Sequence, residues 1–480
     1  MKSVLKQALS LILVILISII KVNAQETTAE IQGTITNGAA GLAGVSVTAI
    51  HQPTGTKYVT TTRNDGRYNL TNLKIGGPYL IEVSYVGFKK DKLDDVTLLL
   101  GQAYKANFKL VEASNNLQEV VVKSTSQDKI FNNARTGSQE TFNRNQITSL
   151  PTISRSYKDI IKLTPTYNGM SFGGQSSQLN NITIDGANFN NSFGLAGDIG
   201  GQTGQVAVSL DAIEQIQVNI SPFDVRQGGF VGGNVNSVSR SGTNTSIGSV
   251  YQYYKSKDLQ GYEVNAAPYT ITVPKQDFTY DLKGFTVGGA LIKNKLFYFV
   301  NGEQEEKTFP ATTWVASTAS SPANGSTISA ANAADLDALA AFLKSKYNYD
   351  PGPYQGYSYA AKSKRLTAKI DWNIDENNTF TLKYSYLKSS SDQPPSNSGS
   401  VGTRQAGATA LPFYGAGYQI NNNANIFIAE LNTKFSNRLS NKLQVGYTAL
   451  RDFRNALSQK EFPMVEDRKS TRLNSSHVAL

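Results

Sequence analysis

The chain has 480 residues, 46 Lys plus Arg against 36 Asp plus Glu, 40 Gly, 24 Tyr and no Cys. Without Cys there can be no disulfide framework, thiolate zinc site, iron–sulfur cluster or cysteine nucleophile, and two histidines, His51 and His477, cannot build a three-His metal site. The net charge of +10 raises nucleic acid or an anionic membrane as a partner, subject to where the charges lie.

Lys2 and Lys6 precede an apolar run from Leu11 to Ile20, followed by Lys21 and the small-residue triplet Val22, Asn23, Ala24. This is the layout of a secretory leader (residues 1–24), with cleavage expected between Ala24 and Gln25. The run is shorter than the ~20 residues that a membrane-spanning helix needs, which disfavours an anchor. No later stretch is long and apolar enough for such a helix, so any membrane span must be made of strands.

Residues 25–111 read as a small β-sandwich. Alternating runs at Ile31 to Thr36, Val45 to Ile50, Lys57 to Thr62, Tyr79 to Tyr85 and Ala106 to Leu110 are separated by turn signals such as Asn37-Gly38, Thr54-Gly55 and Asp65-Gly66. The stretches Gly44 to Val47, Thr62 to Tyr68 (TRNDGRY) and Tyr85 to Phe88 (YVGF) resemble the carboxypeptidase-regulatory-like domain. The resemblance implies that Asp65 and Gly66 make a turn while Tyr68 and Phe88 fill the core. His51, beside Pro53, is expected on a surface loop.

A polar linker (112–127) carries the apolar patch Leu117, Gln118, Glu119, Val120, Val121, Val122. Such a segment either ends the sandwich's last strand or, extended, adds to a partner's sheet edge through its backbone.

Residues 128–243 are dense in Gly and turns, with short strands at Asn181 to Ile184 and Ile213 to Ile220 and a brief helix from Tyr157 to Leu163 before Pro165. The Gly pairs at 173–174, 228–229 and 232–233 lack the Lys and Ser/Thr of a phosphate loop and do not open a helix, so tight turns explain them better. Asp185-Gly186 likewise reads first as a turn.

From residue 244 to 467 the pattern is that of membrane strands. Candidates run Ser246 to Lys255, Tyr280 to Leu291, Leu296 to Gln304, Arg365 to Trp372, Thr379 to Lys388, Ala424 to Phe435 and Lys442 to Phe453. Their lengths are close to the ~9 to 11 residues of a tilted spanning strand. Phe380, Leu382, Tyr384 and Tyr386 alternate with Thr381, Lys383 and Ser385. Alternation alone also fits a soluble sandwich. The connections decide: short turns (Ile292 to Lys295, Asn373 to Asn378, Ser436 to Asn441) alternate with long polar excursions, the asymmetry of outer-membrane barrels. One excursion holds a helical pattern from Ala330 to Lys346.

The stretches LPTISRSYKDIIKLTP (150–165), NNITIDGANFNNSFG (180–194), SLDAIEQIQVNISPFDVRQGGFVGGNVNSVSRSGTN (209–244) and GGALIKNKLFYFVNGE (288–303) resemble the Oar-like branch of TonB-dependent outer-membrane receptors, typical of Bacteroidetes-type envelopes. The resemblance implies an all-β-dominated chain: N-terminal sandwich, α+β plug at 128–243, and the first strands of an incomplete transmembrane β-barrel. It implies that Leu117 to Val122 form the TonB box, and that Ile184, Asp185, Gly186, Arg226, Gly228, Gly229, Gly232 and Gly233 belong to the plug motif. Its implied partners are TonB with its inner-membrane energising complex, outer-membrane lipid and an unidentified substrate. The implied location is the outer membrane, with the N-terminal domain in the periplasm. No catalytic residue, cofactor or metal is expected, because no Ser or Asp has a partnered base. An adhesion or protein-secretion support role of the Oar-like type is the alternative.

Two features depart from the family. Its barrels usually close with about 22 strands, against seven candidates here, so the chain is expected to be a fragment. Residues 468–480 (RKSTRLNSSHVAL) break the strand pattern and look like an assembly artefact. Three cations leave with the leader (Lys2, Lys6, Lys21) and three lie in that tail (Arg468, Lys469, Arg472), so only +4 of the charge remains. The charge-based case for nucleic acid then largely disappears.

Overall fold

A computed structural model describes residues 26–113, 138–168, 171–220, 228, 230–261, 263–266, 269–272, 276–397 and 403–458. The leader with Ala24 and Gln25, the patch Leu117 to Val122, plug-motif residues Arg226 and Gly229, and the tail 468–480 lie outside the described residues.

The N-terminal part packs two sheets. Its strands are β1 (Ala29–Thr36), β2 (Ser46–His51), β3 (Thr56–Thr61), β4 (Arg67–Leu73), β5 (Gly76–Ser84), β6 (Asp91–Leu98), β7 (Ala103–Lys105) and β8 (Phe108–Lys109). One sheet runs β4-β1-β7 with β8 also on β1, the other β3-β2-β5-β6. Ile31, Ile35, Val47, Tyr68, Leu73, Tyr79, Ile81 and Leu98 fill the space between them, with Phe88 packed at the margin. The Tyr68 hydroxyl donates to the carbonyl of Ala106 at 2.6 Å, so the buried ring keeps its polar end paired.

Three strands, β4, β6 and the short β7, go beyond the alternating runs seen in the sequence. In β6 only Val96 and Leu98 are buried, and four of its eight residues are charged, which hides the strand from a hydrophobicity pattern. His51 is a correction. It is buried rather than on a surface loop, because strict alternation in β2 turns Val47, Ala49 and His51 to the same inner face. Its Nδ1 lies 2.6 Å from Thr54 Oγ1, and its ring packs 4.9 Å from that of Tyr79.

The middle part centres on a five-stranded sheet of β9 (Ser138–Phe142), β10 (Asn181–Ile184), β11 (Ala187–Asn188), β12 (Ile213–Ile220) and β13 (Gly233–Ser239), in the order β11-β10-β13-β12-β9. Two short helices flank it, α1 (Arg144–Ser149) and α2 (Tyr157–Ile161). Helix α1 starts with a reciprocal capping box between Asn143 and Gln146, and the Ser156 side chain caps α2.

The third part is one antiparallel sheet of seven strands, each beside its sequence neighbour: β14 (Ile247–Ser256), β15 (Thr279–Ile292), β16 (Leu296–Pro310), β17 (Ser358–Asn373), β18 (Asn378–Gln393), β19 (Tyr418–Lys434) and β20 (Ser440–Ala456). Among the described residues the sheet is open, with β14 and β20 at its edges. All seven stand where the alternation places them, but most are longer than expected, 14 to 17 residues from β15 onward. The extra length lies mainly on the long-loop side, where ladders continue to Pro310↔Ser358 and Gln393↔Tyr418. Helix α3 (Ala333–Tyr347) occupies the loop between β16 and β17, capped by Asn332.

The sheet is inside-out relative to a soluble protein. In β18 the ammonium-bearing Lys383 is 1% exposed while neighbouring Leu382 is 42% exposed. The same reversal sets buried Arg365, Thr367, Lys369 and Asp371 against outward Ile370 and Trp372 in β17, and leaves Val445 62% exposed in β20. An apolar outer face and a polar covered face suit hydrocarbon outside and protein inside. Among the described residues no helix is long and apolar enough to cross a membrane.

Candidate functional site

The candidate site is the seam where the middle sheet, hereafter the plug sheet, sits on the polar face of the seven-stranded wall. It begins at the hairpin joining β10 to β11. Thr183↔Asn188 and Ile184↔Ala187 pair across a two-residue loop, and both loop residues take positive φ, 49° at Asp185 and 76° at Gly186. That is the geometry an Asp-Gly pair accepts at low cost. The turn aims the Asp185 carboxylate at the wall. It accepts from the Ser239 amide at 2.8 Å and pairs with Lys383 of β18. Gln444 of β20 donates to the Asp185 carbonyl at 3.1 Å. Burial alone would raise the Asp185 carboxyl, but Lys383, Lys369 and the Ser239 amide outweigh it and hold it below the usual range.

A second contact zone lies further along the wall. Arg365 of β17 stands between Glu303 and Glu305 of β16, its Nε 2.7 Å from Glu303 Oε2, and donates to the Val206 carbonyl at 3.2 Å. Gln205 donates to Glu305 at 3.2 Å and accepts from Ser363 at 3.0 Å, while Ser209 donates to Glu303 at 2.6 Å. Further polar contacts join Thr203 to Ser389, Gln202 to Asn422 and Asn191 to Asp452. These bonds do not act alone. One apolar cluster runs from Ile160, Phe189, Val208 and Ile216 of the plug to Phe299, Leu387, Ala424, Ile426 and Ile428 of the wall.

The sandwich meets the short-turn end of the wall. Asn373 donates to Thr56 at 2.8 Å, Asn437 to Thr61 at 2.7 Å, and Thr71 lies 3.0 Å from Ser440. Thr27 donates to Glu430 at 2.8 Å, and Lys74 pairs with Asp371 at 3.4 Å. On the plug side, Gln215 and Gln217 donate to the carbonyls of Leu98 and Leu100 at 2.9 and 2.6 Å. Where sandwich, plug and wall converge there is a cavity of about 160 Å³, lined among others by His51, Lys74, Asp185, Ser239, Lys369 and Asp371.

Of the plug-motif residues, Asp185 and Gly186 reach the wall, and Ile184 is in the plug core. Gly232 and Gly233 do a different job: an added Cβ would stand 2.1 Å from Asn180 Oδ1 or 2.5 Å from the Phe172 ring, so close packing demands glycine at both. Gly228 is exposed with no neighbour near its Cβ position. Lys383, Lys369, Arg365, Glu303 and Gln205 were not singled out in the sequence. For Lys383, Lys369 and Arg365 the signal was available, since a Lys or Arg repeatedly sits at the polar positions of otherwise apolar spanning strands. Among the described residues no group of three or more His, Asp or Glu side chains could hold a metal ion.

Residues 30–111 match the carboxypeptidase regulatory-like domain, and residues 238–469 match an outer membrane beta barrel domain. Together with the inside-out sheet, these matches show an outer membrane β-barrel domain preceded by a carboxypeptidase regulatory-like domain. It is similar to the TonB-dependent transporter Oar of Myxococcus xanthus, 24% identical over 269 residues, which are 54% of this chain and 24% of that protein. The match thus spans about a quarter of the relative's length. Among solved structures it is similar to the outer membrane transporter YddB from Escherichia coli, with TM-score 0.44 and 13% identity over 66% of this chain and 39% of that one. The siderophore receptor PirA from Pseudomonas aeruginosa gives TM-score 0.40 and 13% identity over 67% and 42%.

Proposed function

We propose that this chain is part of a TonB-dependent outer-membrane transport receptor that moves an unidentified substrate past its plug. The observation that carries the reading is a hydrogen-bonded, ion-paired plug on the polar face of a sheet whose other face is apolar. In a membrane without ATP, the force that displaces such a plug has to arrive mechanically. The segment Leu117 to Val122 lies between the sandwich and β9, suitably placed for a handle that adds to a partner's sheet edge. On this reading the leader is 1–24, the sandwich 25–111, the linker 112–127, the plug 128–243 and the wall 244–467, with the sandwich in the periplasm. The name of the Myxococcus xanthus relative supports TonB as the energising partner. The proposed function requires no enzymatic step.

Deleting Leu117 to Val122 from the full-length protein tests this directly: transport should stop while surface assembly persists. Unchanged transport would remove the TonB-box assignment. The Oar-like adhesion or secretion-support reading draws on the built loop between β16 and β17, where α3 packs beside a small parallel strand pair and Tyr354 donates to Asp337 at 3.0 Å. Loss of matrix or exported-protein binding on loop deletion, with the 117–122 segment intact, would favour it.

A further inference from the structure

The plug has two neighbours, and they hold it by different means. Toward the wall the attachment is apolar and continuous: the cluster that includes Ile160 and Val208 extends into Phe299, Leu387 and Ile426. Toward the sandwich it is not. Among the described residues, no sandwich residue enters that cluster, and the sandwich core takes in one residue from elsewhere, Val238. What joins the sandwich to its two neighbours is a polar seam: the sandwich meets the wall through Thr56 with Asn373, Thr61 with Asn437 and Thr71 with Ser440, and the plug through Gln215 and Gln217, which donate to the carbonyls of Leu98 and Leu100, with a cavity of about 160 Å³ where the three parts converge.

Interfaces inside a chain that are polar and wet behave like transient contacts, whereas apolar ones behave like a core cut in two. The ionic contact across the seam is also arranged for release. Lys74 pairs with Asp371, but Asp371 additionally has Lys369 within 4.0 Å and accepts from Thr381 at 2.9 Å. When Lys74 leaves, the carboxylate keeps a cation and a hydrogen bond on the wall, so undocking does not strand a bare buried charge. The Asp185–Lys383 pair differs: parting plug from wall there separates two buried charges.

We propose that the N-terminal sandwich is a detachable cap over the short-turn mouth of the barrel, latched by Lys74 on Asp371, and that it lifts before the plug moves. This rests on the transport reading for its purpose, though not for its geometry. A pull on the chain between Ala113 and Ser138 loads both the sandwich and β9, and the polar attachment of the sandwich is weaker than the apolar attachment of the plug to the wall. Lifting the cap opens the cavity beneath it and exposes Ser239 of β13, which is 2% exposed when docked.

The test uses the absence of native cysteine. Ser239 Oγ has no hydrogen-bond partner among the described residues, so Ser239→Cys is a mild substitution that places one thiol under the cap. The full-length protein in outer-membrane preparations is treated with N-ethylmaleimide, and the modification rate is compared with that of Thr203→Cys, a buried thiol on the plug–wall side. Adding Lys74→Met should speed modification at residue 239 about tenfold or more and leave residue 203 protected. An unchanged rate at 239, or equal acceleration at both positions, overturns the cap. In cells, deleting Leu117 to Val122 should return modification at 239 to the resting rate. If Lys74→Met exposes residue 239 but that deletion has no effect, the cap stands and the pulling reading falls.

Discussion

Asp185→Asn is the sharpest probe of how the plug is held. Asn is also at home at φ 49°, and its carbonyl can still accept from the Ser239 amide, so the backbone and one hydrogen bond survive. What is lost is the charge opposite Lys383, whose ammonium is 1% exposed. Removing one member of a buried pair costs about 3 to 5 kcal/mol, and the neighbouring cavity allows some rehydration, which places the expectation near 3. At about 1.4 kcal/mol per tenfold, backbone amides of β10 and β13 should exchange with solvent roughly a hundredfold faster in the full-length protein. Hydrogen exchange read by mass spectrometry measures this. Combining Asp185→Asn with Lys383→Met removes the stranded cation and should restore most of the protection. Exchange within threefold of the parent protein, or a double variant no better than the single one, would refute the assignment of Asp185–Lys383 as an attachment point.

The sandwich carries a pH dependence through His51. Burial first, and the Lys74 charge second, lower it from its ordinary value to about 3 against a nearby Asp371 that opposes the shift. The unfolded chain therefore binds the extra proton between about pH 6.5 and 3, so the contribution of neutral His51 is fully present above about 6.5 and declines as pH falls, by up to ~1.4 kcal/mol per unit. Denaturant titrations at pH 7 and 5 should differ less for His51→Gln than for the parent. Tyr68→Phe leaves the buried Ala106 carbonyl without its 2.6 Å donor and should cost about 1 to 2 kcal/mol in the same assay. Gly233→Ala drives a methyl into the Phe172 ring and should raise protease sensitivity of the plug while leaving the wall assembled. Val445→Arg, on the outward face of β20, should cost about 2 to 4 kcal/mol of barrel stability in lipid, measured by reversible unfolding into denaturant.

Much of the fold was legible because its signals are local. Period-two alternation located all seven wall strands, and turn length alone distinguished the two ends of the sheet. The loop helix followed from spacing within one segment, Leu336, Leu339, Phe342 and Leu343. Strand β6 was hidden because four charged residues mask the two it buries, and His51 was misplaced because its neighbour Pro53 outweighed the alternation it shares with Val47 and Ala49.

The candidate site is another matter. Residue identities establish that one face of each spanning strand is apolar and the other carries Lys, Arg, Asp and Glu. Which charge meets which emerges from the docked fold: Asp185 and Lys383 are 198 residues apart in the chain, and Lys74 and Asp371 are 297. A charge pair has no periodicity to betray it, because its partner is chosen by strand register and by how the plug is seated. The same holds for the strength of each attachment. Whether a boundary is an apolar core or a polar seam depends on which side chains face each other across it, and that is a property of the docked bodies.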